Sequence, residues 1–237
     1  MLVKDKKHFN TGLAMAVAFF ALFFAIMSPI FGEGRNGLEF SDDIFNKLSK
    51  GSAYYVPKTS AANEKFVGKA FDVEIKIDKA EDAKRMAGLF TAAGAMADQK
   101  EGTLKLSGDL GKVLSVVIRD SDTMYKNDGE KVKTAYGYDE KQVMKDWWNS
   151  LKKIDKALQL KSEFPSAKMV NEVTSKVVEP AYNFYKIEPQ KVTDRLGTMS
   201  ILLVFYVFYT IWWGYALYHL FEGFGLTTKK VKVKKEV

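Results

Sequence analysis

Two long, uncharged apolar runs lie near the ends of the chain, with a patterned and largely polar stretch between them. The first is Thr11 to Phe31, TGLAMAVAFFALFFAIMSPIF, and the second is Leu196 to Leu217, LGTMSILLVFYVFYTIWWGYAL. A helix rising about 1.5 Å per residue needs roughly 20 apolar residues to cross the hydrocarbon of a bilayer, and both runs reach that length. The pattern therefore predicts membrane helices over 11–32 and 196–221 around a water-facing domain at 33–195. Ser28-Pro29 sits near the end of the first run, where a membrane helix tolerates a kink. That run is longer than a signal-peptide core and no small-x-small cleavage site precedes Gly32, so an uncleaved anchor is expected.

Between the runs the period of the pattern changes. Ser41, Asp42 and Asp43 read as a cap and first turn, with Phe40, Ile44, Phe45 and Leu48 at helical spacing and Gly51 as the stop. Tyr54-Tyr55-Val56-Pro57 reads as extended, because the residue before proline avoids the helical region. Phe71, Val73, Ile75 and Ile77 alternate with Asp72, Glu74, Lys76 and Asp78, which predicts a strand with one buried face. Ala80 to Ala97 reads as an alanine-rich helix, Thr103 to Leu106 as a second strand, and Ser107-Gly108-Asp109 as the lead into a helix carrying Val113, Val117 and Met124.

After a turn at Asn127-Asp128-Gly129, Asp139 caps a long helix to about Lys161, with Val143, Trp147, Leu151, Ile154 and Leu158 as its buried stripe. Pro165 opens the last helix of the domain, with Val170, Val173, Val177 and Ala181 inward, and Pro180 kinks or ends it. The expected fold class is α+β: two transmembrane helices flank one helix-rich extracytoplasmic domain with a small β-sheet.

Charge sets the expected orientation. Lys4, Lys6 and Lys7 precede the first run, and Lys229, Lys230, Lys232, Lys234 and Lys235 follow the second. Short Lys-rich flanks stay cytoplasmic, so residues 1–10 and the basic tail at 222–237 are expected inside and the central domain outside. The net charge of +7 is thus mainly a topology signal, and no nucleic-acid partner is expected. With flanks this short, no further domain is expected on the inner side. With no cysteine and no Asn-x-Ser/Thr acceptor in the central domain, a bacterial inner membrane and a periplasmic domain are expected. The terminal Lys234-Lys235-Glu236-Val237 also matches a dilysine retrieval signal, a match that a lysine-rich tail produces readily.

Composition removes most catalytic chemistry. Both of the 2 histidines, His8 and His219, fall outside the central domain, which excludes His-based bases, Ser-His-Asp and Cys-His nucleophiles and most zinc sites there. Gly32-Glu33-Gly34-Arg35-Asn36-Gly37 matches the dinucleotide fingerprint in letters but follows a membrane helix instead of a strand, so it reads as an exit loop. Asp120-Ser121-Asp122 begins like a calcium loop, yet Met124 and Tyr125 occupy the positions that need Asp or Asn and Gly. A carboxylate-pair hydrolase survives formally, with no two acids marked as a pair. His8, placed before the first helix, and His219 share one membrane surface and are the only candidate haem ligands; no cofactor or metal is expected.

The membrane runs carry the strongest contact signal. Ala14, Ala18, Ala21, Ala25 and Ser28 form a small-residue seam on one helix face, where another helix can approach closely. The second run is aromatic, with Tyr206 and Tyr209 inside the span and Trp212 and Trp213 further along. The two helices can pack aromatics over alanines, but one pair cannot cover all these faces, so lipids and other membrane subunits or a homo-oligomer are the expected partners. Trp148, about 100° from Trp147 on its helix, is either a second core edge or a partner anchor.

In layout alone the chain resembles receptors and polysaccharide co-polymerases, which also bracket an outer domain with two helices. The inner flanks hold no receptor output domain, and Leu196 to Leu226 lacks the proline expected of a co-polymerase helix. The leading expectation is a non-catalytic accessory or scaffold subunit of an inner-membrane assembly. The alternatives are an extracytoplasmic ligand-binding sensor and a carboxylate-based hydrolase.

Overall fold

The computed structural model describes residues 3–100 and 102–226, so the tail lysines from Lys229 onward lie outside the described residues. In chain order the elements are α1 (Lys6–Met27), α2 (Gly37–Ser52), α3 (Val56–Asn63), β1 (Ala70–Lys76), α4 (Ala80–Ala92), β2 (Met96–Lys100), β3 (Thr103–Asp109), α5 (Leu110–Tyr125), α6 (Gly129–Tyr136), α7 (Glu140–Leu160), α8 (Phe164–Val173), α9 (Glu179–Asn183) and α10 (Leu196–Phe224). They form two units, one from the residues up to Phe45 together with those from Lys191 onward, the other Asn46–Gln190. The second unit is narrower than the expected domain at 33–195, because residues 33–45 and 191–195 group with the terminal helices.

In the first unit α1 and α10 run antiparallel. Asp5 caps α1 by accepting the Lys7 and His8 amides at 2.9 and 3.0 Å. The Lys4 amide, one turn earlier, donates to the Gly223 carbonyl at 2.9 Å, which ties the start of α1 to the end of α10. Further along, Phe19 stacks on Tyr209 at 4.1 Å between centroids. Both helices are long and apolar enough to cross a membrane, and their most apolar windows are 11% and 0% buried. Core helices of water-soluble proteins bury such windows. These leave theirs exposed.

Helix α2 begins at Gly37, four residues before the Ser41 cap that the sequence predicts. Asn36 is the cap: its Oδ1 accepts the Leu38 and Glu39 amides at 2.9 and 3.0 Å, while Glu39 returns a carboxylate to the Asn36 amide at 2.9 Å. This reciprocal capping box satisfies both ends of the first turn. Ser41 is inside the helix and donates its hydroxyl back to the Gly37 carbonyl at 2.8 Å.

In the second unit the sheet order is β1-β3-β2, antiparallel throughout. The alternation in β1 buries Phe71, Val73 and Ile75, which meet Leu104 and Leu106 of β3 on the same face. Helices cover that face, and Phe90 of α4 packs edge-on to Trp147 of α7 at 5.2 Å. The predicted stripe of α7 and the inward valines of the last helix are all buried.

Three expectations need correction here. Tyr54 to Pro57 is not extended; α3 starts at Val56 with Pro57 in its first turn, where the missing N–H costs nothing. The alanine-rich helix ends at Ala92, and Met96 opens a third strand. The last helix widens into a π-turn over Thr174–Val178 before Pro180, which relieves the clash of the proline ring with the preceding turn, and then continues to Asn183.

Candidate functional site

The helix pair contains the first candidate. The faces that meet are not the predicted ones: Gly12 and Ala16, one turn apart, are the buried residues of α1, and Ala216 and Gly223 those of α10. A Cβ on Gly12 would stand 2.6 Å from the Leu220 amide nitrogen and 3.0 Å from the Ala216 carbonyl, so only glycine permits this approach. Ala14, Ala18, Ala21 and Ala25 stay exposed, and Ser28, half-buried, returns its hydroxyl to the Phe24 carbonyl at 2.7 Å. The expected packing of aromatics over that seam is therefore corrected. Ala14 and Ala18 line only a shallow groove beside Phe208, Ile211 and Trp212.

Aromatic residues fill the centre of the pair. Trp213 lies against Phe19 at 4.7 Å, and the Tyr209 hydroxyl donates to the Phe19 carbonyl at 3.3 Å. Tyr206, 65% exposed, has no hydrogen-bond partner for its hydroxyl among the described residues.

His8 lies inside the first turn of α1, not before the helix as expected, because Asp5 rather than a later residue is the cap. Its Nδ1 is 2.9 Å from Nδ1 of His219, and one imidazole N–H donates to the other ring. In this arrangement the two Nδ1 atoms are paired with each other, so no iron lies between those two atoms. Tyr218 packs edge-on to both rings. Among the described residues no group of three His, Cys, Asp or Glu is placed to hold a metal.

The same unit contains a cavity of about 630 Å³ bounded by the last turns of α1, the first turns of α2 and the first half of α10. Its walls include Leu22, Ile26, Phe40, Phe45, Leu202 and Phe205. Gly37 seats α2 here: a Cβ at this position would lie 2.7 Å from Ile26 Cγ2 and 3.1 Å from the Ile26 carbonyl.

Several buried polar groups in the second unit are hydrogen-bonded, while Asn63 Oδ1 and Ser166 Oγ are buried without a partner among the described residues. Lys50 is 2% exposed, and its ammonium donates to Asn127 Oδ1 at 2.8 Å, the Phe184 carbonyl at 3.0 Å and the Ile187 carbonyl at 2.7 Å. Burial lowers its pKa, and the Glu188 charge partly restores it. All three protons are used, which makes Lys50 a clamp rather than a nucleophile. The backbone repeats the clamp, with the Gln190 amide on the Lys47 carbonyl at 3.0 Å.

Asp120 accepts the Tyr136 hydroxyl, the Trp147 indole N–H at 3.3 Å and Arg119 at 3.1 Å. Asp146, 1% exposed, accepts Arg85 Nε at 2.8 Å, Gln142 at 2.7 Å and Tyr138 at 3.3 Å. Burial, followed by these carboxylates, raises the pKa of both tyrosines. Each of these two acids accepts three donors. Asp122 is likewise spent on Tyr54 and Lys126, at 2.7 and 2.6 Å.

Trp148 occupies a different setting from buried Trp147. It is 37% exposed and donates its indole N–H to Glu179 at 2.8 Å, just after the π-turn. With Tyr182, Lys145 and Asn183 it rims a slot of about 350 Å³ floored by Met144 and Val178. Sequence reasoning missed this slot because the π-turn that turns Glu179 toward Trp148 has no periodic signal.

The glycine motif at 32–37 follows a helix and opens directly onto α2, closer than the sequence predicts. The free amides of that helix start are already taken by Asn36. Comparison with protein-family models, with curated proteins and with solved structures returned no match.

Proposed function

We propose that this chain is a non-catalytic accessory or scaffold subunit of a bacterial inner-membrane assembly. The α1/α10 hairpin anchors it, both ends face the cytoplasm, and the Asn46–Gln190 unit faces the periplasm. The observation that carries the reading is the hairpin itself: two apolar helices share a narrow Gly12–Ala16 contact and leave the Ala14–Ala18–Ala21–Ala25 face and Tyr206 uncovered. Polar hydroxyls inside a span seek partners, and small-residue faces admit close helices. The antiparallel run of the pair, with Lys4 beside Gly223, agrees with two ends on one side. The Trp148 slot supplies a second contact on the water-facing unit, with an aromatic, an acid and an amide on its rim.

Purification in mild detergent followed by mass spectrometry tests this. The expected result is a stoichiometric integral-membrane partner that is lost from A18L/A21L hairpins and reduced by W148A, with the far-UV spectrum unchanged. Recovery of a bare monomer under the gentlest extraction would overturn it. A second reading, a periplasmic ligand-binding module acting through another protein, rests on the same slot, whose volume falls at the low end of the about 300–1,000 Å³ of small-molecule pockets. In that case W148A abolishes ligand binding while the partner is retained.

A further inference from the structure

The cavity where α1, α2 and α10 converge has the chemistry of a hydrocarbon site. Its volume, about 630 Å³, matches that of a ligand pocket. The walls are chiefly apolar, and of their side-chain hydroxyls Ser41 donates to the Gly37 carbonyl and Tyr209 to the Phe19 carbonyl, which leaves that of Tyr206 unpaired among the described residues. A sugar, a nucleotide or an extended peptide would bring many more polar groups than the single Tyr206 hydroxyl can pair, and each one left over costs about 1–3 kcal/mol when buried. An apolar chain brings none.

Two walls also belong to the exposed apolar belt. Leu203 and Phe205 line the cavity and are 65% and 40% exposed on α10, so the space opens onto the surface that faces lipid in the proposed reading. The adjoining loop offers no surplus positive charge to a headgroup, since its Arg35 stands 3.1 Å from both Glu33 and Asp43. From this we infer that the cavity holds one acyl chain of a membrane phospholipid, chosen by its hydrocarbon and not by its headgroup charge. The inference rests on the membrane reading above. Gly37 gives the cavity a fixed wall by holding α2 against Ile26, so the site exists before the chain enters.

The test uses the full chain reconstituted into vesicles of phosphatidylcholine, or of phosphatidylcholine with phosphatidylglycerol, then released and examined by native mass spectrometry. The expected result is a retained phospholipid on the wild type and on V17W, whose change lies on the exposed face of α1. Retention falls about tenfold in S41W and L202W, which fill the space from opposite walls, and the two headgroups are retained equally. Equal retention in wild type and both filled variants, selection of one headgroup, or a second copy in place of the lipid overturns the inference. Flotation with vesicles after an alkaline wash separates the two failures. A chain that floats but keeps no lipid overturns the cavity alone, and one that does not float overturns the membrane reading with it.

Discussion

At the scale of single residues, the second unit is held by side chains whose protonation is coupled to folding. Tyr185 donates to Glu140 at 2.9 Å, and both are buried. Hydrogen bonds from its own backbone amide and then from Tyr185 hold the Glu140 carboxyl below its usual pKa, while burial and then Glu140 push the Tyr185 phenol up to about 12. The two shifts act at opposite ends of the pH scale. Between the folded and unfolded pKa of Glu140 the unfolded chain binds more protons, so its contribution is complete above the ordinary carboxylate value and lost as pH falls through the folded one. For Tyr185 the folded chain binds more, so the contribution is complete below about pH 10 and lost as pH rises toward 12. Thermal unfolding of E140Q against wild type is expected to show its largest difference near neutrality, shrinking below pH 4; a constant gap would contradict the coupling. Trp147, fully buried against Phe90 and donating to Asp120, is the costliest truncation. W147A is expected to cost about 3–5 kcal/mol in chemical denaturation followed by near-UV circular dichroism.

At the scale of elements, what could be read from the chain was what periodicity and burial impose together. The apolar runs, β1 and the α7 stripe each repeat a side-chain pattern that only one element satisfies. β2 carries the polar run Met96-Ala97-Asp98-Gln99-Lys100, so its backbone pairing with β3, and not its side chains, makes it a strand. The start of α2 was legible in Asn36 and Glu39, three residues apart, but the acids after Ser41 imitate a cap. The candidate site was half legible. His8 and His219 do meet, because antiparallel helices bring equal depths together, yet the alanine seam was the wrong face for the hairpin. Its real contact carried the same kind of spacing in Gly12 and Ala16. G12I should force α1 from α10, and hydrogen exchange at Lys4 and Asp5, whose amides share the Gly223 carbonyl at 2.9 and 3.1 Å, should quicken at least about tenfold while the sheet amides hold. Unchanged exchange there would mean the glycine is not what brings the helices together.

At the scale of the whole molecule, one unit is built from both ends of the chain and the other from its middle. The boundary at Phe45 and Lys191 carries no signal in the hydropathy pattern, because α2 runs through it without a break. The middle unit is stitched shut at its own entry and exit, where Lys50 reaches Phe184 and Ile187 and the Gln190 amide meets Lys47. The end-built unit carries a cost in time. His8 and His219, which touch, are 211 residues apart. At about 5–20 residues per second a ribosome takes roughly 10–40 s to traverse that interval. Throughout it the newborn α1 has no α10, and its Gly12–Ala16 face is open to any other helix nearby. Until α10 follows, the close approach that Gly12 permits cannot form, so the pairing of the two ends is the last step of the chain's assembly and not the first.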